Sequence, residues 1–201
     1  MSEKMKFNVF IKGKNVDLVV LDEEAVEKTD WFNWFNDEEN TEYMQQHYYP
    51  NTRAKQLAFY KSEIENNPKK LQVGIFHNED KVLIGVISLN NIDYLHRNCS
   101  TGTIIGIKKY RKVIYFLEAY KLLIKHAFEQ LNINKISDGS VSKDVADLLI
   151  KTVGYKLEGV RRNELYMNGK YVDLYLIGLL KEEFYKGGYD NIKIPSDEVM
   201  G

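Results

Sequence analysis

The stretch on which the fold turns runs Asn98-Cys99-Ser100-Thr101-Gly102-Thr103-Ile104-Ile105-Gly106-Ile107-Lys108-Lys109-Tyr110-Arg111-Lys112-Val113-Ile114-Tyr115-Phe116-Leu117-Glu118-Ala119-Tyr120. Its first half is rich in β-branched residues and reads as a strand over 98–109, entered through the polar turn His96-Arg97-Asn98. Its second half opens a helix over 113–131, where Phe116, Ala119, Tyr120, Leu123, Ala127 and Leu131 fall on one face. Between them lies a short basic loop, so the segment is a strand delivering a cationic turn onto a helix N-terminus.

Working upstream, 71–77 and 82–89 read as strands joined across Asn78-Glu79-Asp80-Lys81, a hairpin. A first candidate strand covers 7–21, broken at Gly13-Lys14-Asn15, with Val16, Leu18 and Val20 at period two. Asp22-Glu23-Glu24 then opens a helical stretch containing Trp31, Trp34 and Phe35, and a second helix runs from the N-cap Thr52 to Pro68. Downstream come a strand over 133–141 and a helix capped by Ser142 and stopped by Gly154. Strands over 155–162 and 171–179 follow, meeting at Asn168-Gly169, which favours a type I′ turn. Hairpins mixed with one crossover predict an α/β (α+β) mixed sheet in a single domain over 1–201, with a frayed tail after about 185.

Composition narrows the function classes. A formal charge of −1 gives no positive field for nucleic acid or an anionic membrane. No run is long enough to span a bilayer and Met1–Lys6 has no apolar segment, so the expectation is a cytoplasmic protein without leader or membrane partner. Cys99 is the one cysteine, which excludes an intrachain disulfide. It reads as a small core residue, the alternative being a thiol served by His96, three residues away.

Several local words, in order, resemble the GNAT acyl-CoA N-acyltransferases, and among them the ribosomal-protein and amino-sugar N-acetyltransferase branch. They are Trp31-Phe32-Asn33-Trp34 with Asn36-Asp37-Glu38, then Leu83-Ile84-Gly85-Val86-Ile87-Ser88-Leu89, then Ile105-Gly106-Ile107 with Tyr110-Arg111. Glu118-Ala119, Ala127-Phe128-Glu129 with Leu131, and Gly154-Tyr155 with Glu158-Gly159 and Arg162 complete the set. The resemblance covers 13 to about 184 and implies a mostly antiparallel sheet of about seven strands, splayed in the middle and flanked by about four helices.

It also implies acetyl-CoA as co-substrate, no metal, and a small-molecule amine as acceptor; a homodimer is compatible with it. Backbone groups of Ile105, Gly106 and Ile107 would pair with pantetheine amides, and Arg111, Lys112, Val113, Ile114, Tyr115 and Phe116 would receive the pyrophosphate at the helix N-terminus. Lys143 aligns with a further cofactor-side position. The family's loop carries glycines where this chain has Ile114 and Phe116, and Ile150 stands where many members have a tyrosine acid. Thr103, Ser142 and His47 are the candidates for handling the ammonium proton, with His47 also readable as a solvated loop residue.

On the acceptor side the resemblance points to Trp34, His47, Tyr48, Tyr49 and Asn90. Aromatic faces there suit a sugar ring or a base, or else pack the front helices onto the sheet. Asn90-Asn91 equally reads as a turn, and Lys108-Lys109 with Arg111-Lys112 as a solvated basic face. The implied reaction is acetyl transfer to a primary amine, best matched to a nucleotide-linked amino sugar, the alternatives being a protein N-terminus or a non-catalytic binding domain on the same scaffold.

Overall fold

The structure is a computed structural model describing residues 5–186, apart from the side chains of Gln45 and Gln46. Strands β1 (Val9–Ile11) and β2 (Val16–Val19) precede α1 (Glu23–Lys28), a 3-10 segment (Trp31–Asn36), α2 (Glu38–Thr41), a second 3-10 turn (Gln45–Tyr48) and α3 (Arg53–Phe59), which runs on as a π-turn over Tyr60–Glu65. Then come β3 (Leu71–His77), β4 (Val82–Asp93), β5 (Asn98–Ile105), α4 (Val113–Glu129), β6 (Lys135–Ser140), α5 (Lys143–Val153), β7 (Lys156–Met167), β8 (Lys170–Leu180) and α6 (Lys181–Lys186). The expected frayed tail falls on 187–201, outside the described residues. Among the described residues no helix is long and apolar enough to cross a membrane.

The strands form one eight-stranded sheet, β1-β2-β3-β4-β5-β6-β8-β7, antiparallel except for β5 beside β6. The count exceeds seven because the first candidate strand folds back on itself at Gly13-Lys14-Asn15. Glu118 of α4 holds that turn, accepting from the N–H groups of Lys14 and Asn15 and, at 2.7 Å, from Asn15 Nδ2. A bulge places Ile84 between the pairs Ile75↔Gly85 and Phe76↔Leu83. Apolar residues divide between the two faces. One core gathers Leu18, Ile75, Leu89, Leu123 and Phe128 under α4, α5 and α6. The other gathers Val19, Val86, Ile104, Trp31 and Trp34 under the front helices.

Trp31 and Trp34 are not on the first helix. That helix stops at Thr29, an extended residue whose hydroxyl turns back onto the Ala25 carbonyl at 2.6 Å. The tryptophans sit on the following 3-10 segment, both buried. The late caps form as the residue types imply. Ser142 accepts from the Val145 N–H, Gly154 takes φ +96°, and Asn168-Gly169 both turn at positive φ. β4 runs on to Asp93, so Asn90 is a strand residue opposite Ser100 and the turn begins later.

Candidate functional site

β5 and β6 run side by side for two residue pairs, Asn98↔Lys135 and Cys99↔Ile136. They then part, because the next β5 amide meets a side chain instead of a backbone carbonyl. Thr101 N–H donates to Asp138 Oδ1 at 2.6 Å. Asp138 Oδ2 accepts three hydroxyls as well: Thr101 at 2.9 Å, Tyr120 of α4 at 2.9 Å and Tyr155 at 2.7 Å. The two tyrosine oxygens are 3.0 Å apart. Burial, and then the charge of Asp138 for Tyr120 and the neighbouring Tyr120 for Tyr155, push both phenols well above their ordinary range. This cluster is the vertex of a V-shaped gap.

Beyond the vertex the β5 edge is open toward the gap. Gly106 donates its N–H to Ile84 on the β4 side, at 2.9 Å. Alternation along the strand therefore directs the backbone groups of Thr103 and Ile105, like those of Thr101, toward β6. Thr103 Oγ1 is buried and has no hydrogen-bond partner within the described residues. Gly106 itself is committed elsewhere. Its carbonyl accepts from Asn40 Nδ2 at 3.0 Å, and a Cβ added there would fall inside the Trp34 ring. Of the expected Ile105–Ile107 backbone groups, those of Gly106 are thus engaged within the chain.

At the mouth of the gap, a 3-10 turn over Lys108–Tyr110 leads into α4, and Lys112 is its cap residue without a side-chain cap. Tyr115 and Phe116 already donate to the Lys112 carbonyl, which leaves the N–H groups of Val113 and Ile114 as the first-turn donors without an intrahelical partner. Phe116 is buried with its ring 5.2 Å from that of Tyr120, while Ile114 is half-buried. Tyr115 is turned away, edge-on to His77 at 4.9 Å, and Tyr110 bonds Asp80. Arg111 does not face the helix N-terminus. At 17% exposure it bonds Asn40 of α2 and, at 3.1 Å, Glu39, whose carboxyl is held low by Lys108 and Arg111.

The remaining candidates scatter. Lys143 is exposed and pairs with Asp147 on its own helix at 2.6 Å, while Ser142 is occupied as the α5 cap. Trp34 is 5% exposed, in the core. His47 Nδ1 lies 3.1 Å from Thr41 Oγ1, and Tyr48 accepts at its hydroxyl from the Asn168 N–H, tying this loop to the β7–β8 hairpin. Tyr49, 74% exposed, lines a cavity of about 420 Å³ with Phe35, Pro50, Asn51, Lys55, Gln56 and Phe59. The Asn90 amide lies over Gly102. Cys99 is 3% exposed, and burial together with Asp138 pushes its thiol up to about 12, which fits a core residue. No group of three or more potential metal ligands occurs among the described residues.

Sequence reasoning placed Tyr120 on the inner helix face but missed its partners. Thr101 and Asp138 come from β5 and β6 and Tyr155 from the link between α5 and β7, and nothing local in the sequence joins them. The one available signal was an aspartate in mid-strand, where a charge needs a partner.

A family model described as an acetyltransferase (GNAT) domain matches residues 18–146. A putative ribosomal N-acetyltransferase, YdaF of Bacillus subtilis, is 31% identical over 57% of this chain and 61% of its own length, so the chain spans under two thirds of that relative. A probable N-acetyltransferase of the same organism, YjcK, is 25% identical over 65% of this chain and 72% of its own. Among solved structures, a Vibrio cholerae spermidine N-acetyltransferase in complex with CoA and spermine superposes with a TM-score of 0.75 at 20% identity, covering 85% of this chain and 98% of that one. The microcin C7 self-immunity acetyltransferase MccE, in complex with acetyl-CoA and AMP, gives 0.71 at 17%, covering 84% and 93%.

Proposed function

The chain belongs to the GNAT acetyltransferase family, and on that premise we propose that it transfers an acetyl group from acetyl-CoA to the primary amine of a small molecule. The observation that carries the reading is the parted β5–β6 edge, with the backbone groups of Thr103 and Ile105 turned to it and the uncapped start of α4 at its mouth. These features fit an extended, amide-bearing arm ending in a pyrophosphate. Thr103 and Ile105 would receive the pantetheine amides. Lys112 and the N–H groups of Val113 and Ile114 would hold the phosphates, where the helix dipole favours an anion. Ile114, half-buried in place of a glycine, keeps the phosphates farther from the backbone, and Arg111 contributes once it leaves Glu39.

In the transfer, the neutral amine attacks the thioester carbonyl, the C–N bond forms, and the C–S bond breaks with the thiolate leaving. The ammonium proton passes to water, which Thr103 can orient, and the thiolate is reprotonated from solvent. Positioning supplies most of the acceleration.

For the acceptor, a nucleotide-linked amino sugar is the reading the aromatic lip supports, since Phe35, Tyr49 and Phe59 offer ring faces beside the Asn51 and Gln56 amides. That cavity contains Lys55 and no carboxylate, which suits an anionic nucleotide better than a polyamine or a basic protein N-terminus. The glycine-less loop and the tethered Arg111 favour a second reading, a non-catalytic domain on the same scaffold. Titration calorimetry with CoA and acetyl-CoA, paired with a thermal-shift measurement, separates the two. Micromolar affinity followed by acetylation of an amino-sugar nucleotide supports transfer. Absence of binding at millimolar ligand overturns it in favour of the second reading.

A further inference from the structure

The phosphate end of the gap and its vertex lie at opposite ends of β5, and that polarity fixes what the vertex would meet. A cofactor with its pyrophosphate at the start of α4 must enter past Ile105 and run toward Thr101, so its acyl end points at the vertex. From Ile105 to Thr101 is four residues, about 13 Å of strand. At the end of that path stands the cluster of Thr101, Tyr120, Asp138 and Tyr155. It is polar and internally satisfied: every hydroxyl and both carboxylate oxygens have partners between 2.6 and 3.0 Å. Tyr120 and Tyr155 are sealed in the core, whereas Thr101 and Asp138 are half-buried and form the side turned to the gap.

We infer that this cluster is the floor of the acyl site and selects a two-carbon acyl group against longer and against acidic ones. The inference rests on the transferase reading above. Three physical facts carry it. The carboxylate takes the place of a backbone acceptor on the β5 edge, so it sets the last residue to which a thioester can reach. The cluster presents bonded oxygens: a methylene that would gain about fourfold in affinity against a hydrocarbon wall gains nothing against them and must displace them. And the Asp138 charge repels a terminal carboxylate on the incoming acyl group. Asp138 is a specificity residue here and takes no part in bond making.

The test needs no acceptor. Calorimetry on the whole chain with free CoA, acetyl-CoA, butyryl-CoA and succinyl-CoA gives an acyl profile for the wild type and two variants. The wild type should prefer acetyl- over butyryl- and succinyl-CoA by tenfold or more. Asp138→Ala leaves the tyrosines bonded to each other and to Thr101, opens the floor, and should cut the acetyl-to-butyryl ratio about tenfold with free-CoA affinity unchanged. Asp138→Asn keeps the shape and removes the charge. It should relieve the penalty on succinyl-CoA by a similar factor while leaving the butyryl penalty in place, and it stands if the alanine variant does not fold. Variant profiles parallel to that of the wild type, with intact CoA binding, overturn the inference alone. A wild type that binds no CoA overturns the transferase reading, and the floor with it.

Discussion

The two ends of the gap are built on opposite principles. At the vertex, four side chains far apart in sequence satisfy one another, and two of them are buried tyrosines. At the mouth, the charges are exposed or borrowed: Lys108 and Arg111 lean on Glu39, Lys109 on Asp80, and the α4 N–H donors wait without a cap. A buried network is costly to break because each orphaned group keeps its desolvation penalty. Exposed ion pairs are worth little and can be exchanged for a ligand. The vertex therefore holds geometry, and the mouth holds charge in reserve.

The sharpest way to break this contrast is at the vertex. Asp138→Leu strands the Thr101 N–H and removes the acceptor from three hydroxyls, so it should cost about 3 kcal/mol. For a chain of this size that lowers the melting temperature by about 6–12 °C, whereas Lys108→Ala, which removes an exposed pair with Glu39 at the mouth, should stay within about 1 kcal/mol. Equal losses at the two ends would contradict the comparison. A smaller effect tests the reserve. Glu39→Gln loosens Arg111 and should raise CoA affinity about fivefold, read by calorimetry, with stability nearly unchanged. A fall in affinity would mean that Arg111 serves best where it is. The last check disturbs nothing. With its thiol pushed from 9.0 up to about 12, Cys99 beside the vertex should alkylate about a thousandfold more slowly at pH 8 in the native protein than after denaturation. Rapid native labelling would show the vertex to open.

The strand-loop-helix run at 98–120 and the late caps could be read from the sequence because their signals are local: β-branching, a one-sided helix face, Ser142, Gly154, Asn168-Gly169. The splayed middle came with the family resemblance. What escaped was set by tertiary competition. Thr29 ends α1 through its own hydroxyl, so helical spacing misplaced Trp31 and Trp34. Arg111 looked free to meet a phosphate because no pattern shows that α2, some seventy residues earlier, folds back to it. Phe116 falls on a glycine position of the family's loop, but it packs against Tyr120 and belongs to the core. A glycine there would open a cavity as well as a loop, so Ile114→Gly is the cleaner probe of the loop.

The short β5–β6 pairing also bears on solubility. An open sheet has two edges, each a template for a stray strand. The outer edge at β7 is blunted by Lys156, Glu158, Arg161, Arg162 and Glu164 and by two irregularities in its register, one of them spanning Asn163 at φ +52°. The parting of β5 from β6 creates a further edge in the interior, along Thr103 and Ile105, with neither charges nor bulges to guard it. Its protection is steric: α4 lies over it and the vertex closes one end. Any substitution that widens the parting would turn a ligand slot into an adhesive edge, and its first symptom would be self-association rather than loss of fold.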